Sequence, residues 1–113
     1  VVIDAVDPVM LSDFWRQLLG GVVDGRTATD EWVSLCDVSR LGYLSFQKVP
    51  EGRVVKNRVH LDLEVGEMNG SVRAAVSLGA RVMGGVVDES TNLLQVMADP
   101  EGNEFCFIQR TPA

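Results

Sequence analysis

The sequence predicts an α+β fold built from two tandem βαβββ modules. Three observations predict it. One order of hydrophobic patterns, a strand, an amphipathic helix and three strands, occurs twice. The helix-closing pairs Leu19-Gly20 and Leu78-Gly79 fall at matching places, and a turn-rich segment, PEGRVVKN, separates the copies. In a chain of 113 residues, units of roughly 55 residues are each too small to bury a stable core alone. Each has a sheet with one bare face that the other can complete. The expected division is module one at 1–50, a linker at 51–57 and module two at 58–113, together one domain.

In the first copy, VVIDAV is a short β-branched run that stops at Asp7-Pro8. Aspartate accepts from orphan N–H groups and proline's fixed φ suits the first helical position, so a helix starts there. Leu11, Phe14, Trp15, Leu18 and Leu19 then fall on one helical stripe, which makes Trp15 a core residue. Gly20 and Gly21 end the helix. Strands are expected at 21–25 (GVVDG), 31–36 (EWVSLC) and 42–49 (GYLSFQKV), with Gly, Asp, Ser and Thr in the turns.

The second copy begins with RVHLDLEV at 58–65 as a strand. Glu67 to Asn69 form the cap region of a helix whose apolar stripe is Val72, Ala75 and Val76. Strands follow at 81–87, 92–98 and 104–109, the last two joined by DPEG, whose proline and glycine suit a type I turn.

Composition narrows the partners. With 46% hydrophobic and 23% charged residues, this is an ordinary folded protein rather than a disordered one. A formal net charge of −6 argues against nucleic acid and anionic membrane, which need a basic footprint, and leaves small molecules or proteins. It also argues against a highly anionic substrate, unless a metal or the Lys56 and Arg58 beside His60 neutralise it. No apolar run approaches the roughly 18 residues of a membrane span, and the amino end lacks a basic-then-apolar leader. A cytoplasmic location is the expectation. Cys36 and Cys106 lie in apolar segments without CxxC spacing, so they read as buried free thiols, with a disulfide or redox pair as the alternative.

Strand side chains alternate between faces, so parity sorts the candidate site. On 58–65, Leu61, Leu63 and Val65 form an apolar side, and His60, Asp62 and Glu64 a polar one. On the last strand Phe105 and Phe107 take the apolar side, leaving Glu104, Cys106 and Ile108 on the other. On 42–49 the more polar parity is Tyr43, Ser45 and Gln47. A few polar groups on an otherwise apolar wall is the makeup of a small-molecule site. The plainer alternatives stand beside it: His60 as a solvated strand residue, Asp62 and Glu64 as surface charges, Gln47 and Tyr43 as structural hydrogen bonders, and Trp32 as core.

The motifs together carry a resemblance. DP followed by FWRQLLGG, then LSFQKVPEG, KNRVHLDLEV, LGARV and MADPEGNEFCFIQ resemble the glyoxalase-like branch of the vicinal oxygen chelate superfamily, over essentially the entire chain. That superfamily includes glyoxalase I, ring-cleaving dioxygenases, fosfomycin-modifying enzymes and metal-free bleomycin-sequestering proteins. The resemblance implies a curved mixed sheet with a concave cavity, helices on the outer face, and a homodimer. In metal-dependent relatives one position on the first strand and one on the last strand of each module ligate a divalent metal.

Carried onto this sequence, His60 takes the first-strand position of module two, and the counterpart in module one falls at or before Val1. Gln47 is the nearest match on the last strand of module one, and Cys106 stands where relatives carry glutamate. The resemblance therefore implies His60 and Gln47 as ligands of a zinc, nickel, manganese or iron ion. Glu104 or Glu64 would move a proton, and Trp32, Tyr43, Asp62 and Cys106 would line the pocket. The set is incomplete for a glyoxalase I, which needs a carboxylate beside a Lewis-acid metal. Two functions remain open: a metal-assisted lyase or isomerase on a small carbonyl or thiol-adduct substrate, and a metal-free sequestering module without catalysis.

Overall fold

The structure, a computed structural model, describes residues 1–55, 57 and 59–111. Its contacts divide into two units, Val1–Gly52 and Arg53–Ala113. Each unit is a βαβββ arrangement with a four-stranded mixed sheet.

Unit one contains β1 (Val2–Ala5), α1 (Pro8–Leu19), β2 (Val22–Val23), β3 (Trp32–Val38) and β4 (Gly42–Lys48), with sheet order β1-β4-β3-β2. The first helix forms as its sequence dictates. Asp7 Oδ1 accepts the Met10 N–H at 3.2 Å, Pro8 opens the first turn, and Leu11, Phe14 and Trp15 are buried. They pack against the face of β3 and β4 that carries Val33, Leu35, Leu44 and Phe46, all buried. The chain returns to β1 in parallel register with β4, as a strand–helix crossover requires.

Unit two contains β5 (Asp62–Glu64), α2 (Met68–Leu78), β6 (Arg81–Asp88), β7 (Asn92–Ala98) and β8 (Glu104–Arg110), with sheet order β5-β8-β7-β6. Helix α2 ends at Gly79, whose φ of 117° is left-handed backbone that glycine adopts without a Cβ penalty. The N-terminus of α2 is held from two sides: Glu67 accepts the Gly70 N–H, and Gln109 on β8 accepts the Met68 N–H at 2.6 Å. The DPEG turn closes with Gly102 N–H donating to Asp99 O at 2.8 Å. Phe105 and Phe107 pack edge to face with centroids 5.5 Å apart.

Three expectations change. The strand placed at 58–65 is regular only over Asp62–Glu64, so His60 precedes it; Arg58, where it was to begin, and Lys56 lie outside the described residues. The strand expected at 21–25 shortens to Val22–Val23. In α2 the buried residues are Met68 and Ala75, while Val76 is exposed, because an 11-residue helix packs along one narrow row seven residues apart. Strand β6 is exposed along its length despite its valines. It is the sheet's edge, and it bulges away from β7 between Met83 and Val87. Buried Gln95 fills that bulge, its Nε2 donating to Gly84 O at 3.1 Å. Among the described residues no helix is long and apolar enough to cross a membrane.

Candidate functional site

The polar centre of unit two is set by one strand pair. Strands β5 and β8 run parallel with Asp62 opposite Cys106 and Glu64 opposite Ile108. The Cys106 N–H donates to Leu61 O at 2.9 Å, which extends the pairing one residue before β5. His60 lies two residues before Asp62, on the same side of an extended chain. His60 Nδ1 meets Asp62 Oδ1 at 3.1 Å. One ligand atom from each of His60, Asp62 and Cys106 lies within 4.8 Å of the others. Imidazole, carboxylate and thiol thus converge where Cys106 is buried and the other two are exposed.

Two other carboxylates of this unit face cations. Glu64 pairs with Arg110 at 3.3 Å, both well exposed. Glu104 stands 3.7 Å from Arg53, and its N–H donates to Asn57 Oδ1 at 3.1 Å. Glu104 and Cys106 alternate onto one face of β8.

In unit one the register answers which residue corresponds to Cys106. Val2 lies opposite Ser45 across β1 and β4, as Asp62 lies opposite Cys106 across β5 and β8. The counterpart of Cys106 is Ser45, not Gln47. Gln47 sits two residues on, between Asp4 and Trp32, and corresponds to Ile108. Ser45 is buried, and its hydroxyl is engaged with Ser34 at 2.8 Å. Ser34 in turn accepts the Trp32 indole N–H at 2.8 Å. Trp32 is thus half-buried and tied to the sheet rather than part of the core, and Tyr43 is exposed on the same face of β4. Sequence parity had grouped Tyr43, Ser45 and Gln47 but could not choose among them, because strand registers were needed.

Neither cysteine is in a disulfide. Cys36 Sγ donates to Val22 O at 3.3 Å within unit one, far along the chain from the cluster. Unit one also has an apolar cleft of about 330 Å³ on its helix side, among Val9, Arg16, Val23 and Val33. No sequence pattern pointed to it.

The comparisons with known proteins agree on the architecture. The family model for the glyoxalase-like domain matches residues 1–108. A glyoxalase/bleomycin resistance protein/dioxygenase family enzyme from Burkholderia phytofirmans is 18% identical, with a TM-score of 0.80 over 98% of this chain and 96% of that one. TioX from Micromonospora sp. ML1 is 15% identical, with a TM-score of 0.66 over 98% and 96%. The fosfomycin resistance protein FosX from Mesorhizobium loti is 7% identical, with a TM-score of 0.73 over 97% and 88%. No curated protein sequence matches the chain.

Proposed function

The chain belongs to the glyoxalase-like domain family, and from that premise we propose that it binds a small molecule at a divalent metal held by His60, Asp62 and Cys106. The observation that carries this reading is the convergence of their ligand atoms within 4.8 Å. Three protein donors leave a coordination position for substrate, the layout of a catalytic rather than a closed structural site. The donor set fits the group: thiolate and imidazole favour zinc, with nickel and iron(II) next and manganese least suited. When bound, the metal supplies Lewis acidity at a carbonyl oxygen. The chain's own part is to hold a proton carrier close by, and Glu104 suits this better than Glu64, which Arg110 draws to the surface. The reaction class is a lyase or isomerase step on a small carbonyl or thiol-adduct substrate. A cytoplasmic homodimer belongs to the same reading.

One observation favours a second reading. Ser45 stands at the unit-one counterpart of Cys106, its hydroxyl hydrogen-bonded with that of Ser34, and this weakens unit one as a source of ligands. A metal-free sequestering module, with Trp32 and Tyr43 as walls for an aromatic ligand, accommodates that arrangement.

Elemental analysis and calorimetric titration with zinc, nickel, manganese and iron(II), on the natural chain and on His60→Ala, separate the two. About one metal per chain, lost in the variant, supports the metal-assisted reading. No metal in either protein, with tight binding of an aromatic ligand, supports the sequestering module.

A further inference from the structure

We propose that the turn before β8 carries an oxyanion site, which takes the carboxylate of a small organic acid between Arg53 and Arg81. The site centres on Gly102, whose φ of 86° is backbone that residues with a Cβ rarely adopt. At the point where a Cβ would stand, the three nearest atoms outside the glycine's chain neighbours are all guanidinium nitrogens. Arg53 Nε lies 3.5 Å from it, Arg53 Nη2 3.8 Å and Arg81 Nη2 3.8 Å. The missing side chain thus leaves a space walled by two cations, close enough together for one oxyanion to reach both.

Neither arginine spends these nitrogens on a carboxylate of the chain. Arg81 opens β6 opposite Ala98, the last residue of β7, so it stands beside the turn. Among the described residues it has no ion pair. Arg53 is held by its far nitrogen: Nη1 donates to Val55 O at 2.6 Å and lies 3.7 Å from Glu104 Oε1. That leaves Nε and Nη2, a parallel pair of donors that matches a carboxylate bidentately, turned toward Gly102. The Arg53 side chain is only 25% exposed, and unmet donors of a charged group cost more there than in open water. The two guanidinium groups also repel each other, so an anion between them relieves both costs. A monoanion suits a chain with a formal net charge of −6 better than a polyanion does. Glu104, which Arg53 approaches, lies two residues before Cys106 on β8, about 7 Å along the strand. The site therefore narrows the substrate of the preceding subsection to a carbonyl or thiol-adduct compound bearing one carboxylate. That narrowing rests on the earlier reading; the oxyanion site does not.

The side-chain Nε–H signals of Arg53 and Arg81 and the backbone N–H of Gly102 report occupancy in ¹H–¹⁵N spectra. Sodium acetate and, separately, inorganic phosphate are titrated into the natural chain, with sodium chloride holding the ionic strength constant to remove general screening. The expected result is that acetate moves all three signals along one saturating curve. Arg53→Lys keeps the charge but loses the paired donors, and Arg81→Gln loses one cation. Each weakens acetate binding roughly tenfold, with the fold retained in the backbone spectrum. Arg40→Gln, in unit one, leaves the curve unchanged. Saturation by phosphate without a response to acetate overturns the carboxylate as occupant. Absence of saturation with either anion, or an acetate curve unchanged in both Arg53→Lys and Arg81→Gln, overturns the site itself. No metal enters these titrations, so failure of zinc to bind the natural chain sinks the metal reading alone.

Discussion

Cys106 stands directly opposite Asp62 across the parallel β5–β8 pair, and its thiol is buried while the carboxylate is exposed. The thiol is therefore shielded inside unit two, and the imidazole and carboxylate beside it lie on the solvent side. Cys36, the other thiol, is half-buried and belongs to unit one.

This difference predicts selective protection. Zinc slows alkylation of Cys106 and leaves Cys36 unchanged, as read by mass spectrometry of the two cysteine peptides. At zinc about 100 times its Kd, only the unbound fraction reacts, so the rate at Cys106 falls by roughly 100-fold. Equal rates with and without zinc at Cys106 would exclude it as a donor.

The turn before β8 depends on one buried side chain. Asp99 Oδ1 accepts the N–H groups of Glu101 and Asn103, both at 2.9 Å, and Asn103 Nδ2 donates to Oδ2 at 2.9 Å. Asp99→Ala leaves these donors without their acceptor in a partly buried turn, at a cost of about 1–3 kcal/mol. Urea unfolding would show a lower midpoint at unchanged slope. A variant as stable as the natural chain would mean that water replaces the carboxylate.

A pH-dependent element lies in the turn between β2 and β3. Hydrogen bonds from Arg26 hold the Asp24 carboxyl below its ordinary value of 3.8. Because the folded value is depressed, the support this pair gives the turn is fully present above the unfolded value. It is lost as pH falls through the folded one. The amide resonance of Arg26, whose N–H donates to Asp24 Oδ1 at 3.1 Å, reports it. Its acid titration has a midpoint below 3.8 that returns toward 3.8 in Arg26→Ala. A midpoint unmoved by that substitution would show that the pair does not act on Asp24.

The duplicated βαβββ plan, the start of α1 at Asp7-Pro8, both helix-closing glycines and the turn at Asp99–Gly102 are all legible in the sequence. Each depends on interactions within a few residues: a cap, a fixed φ, an apolar stripe. The placing of His60 and Asp62 on one side of the chain was legible too, from strand parity. Tertiary structure decided what depends on pairing between distant strands. Parity could not tell Ser45 from Gln47 as the counterpart of Cys106, because a register is a relation between two strands and neither contains it. The same holds for Gln109 capping α2 from β8 and for Gln95 filling the bulge of β6. The meeting of His60, Asp62 and Cys106 joins both kinds of information: local alternation put His60 and Asp62 on one side, and only the β5–β8 register brought a buried sulfur to them.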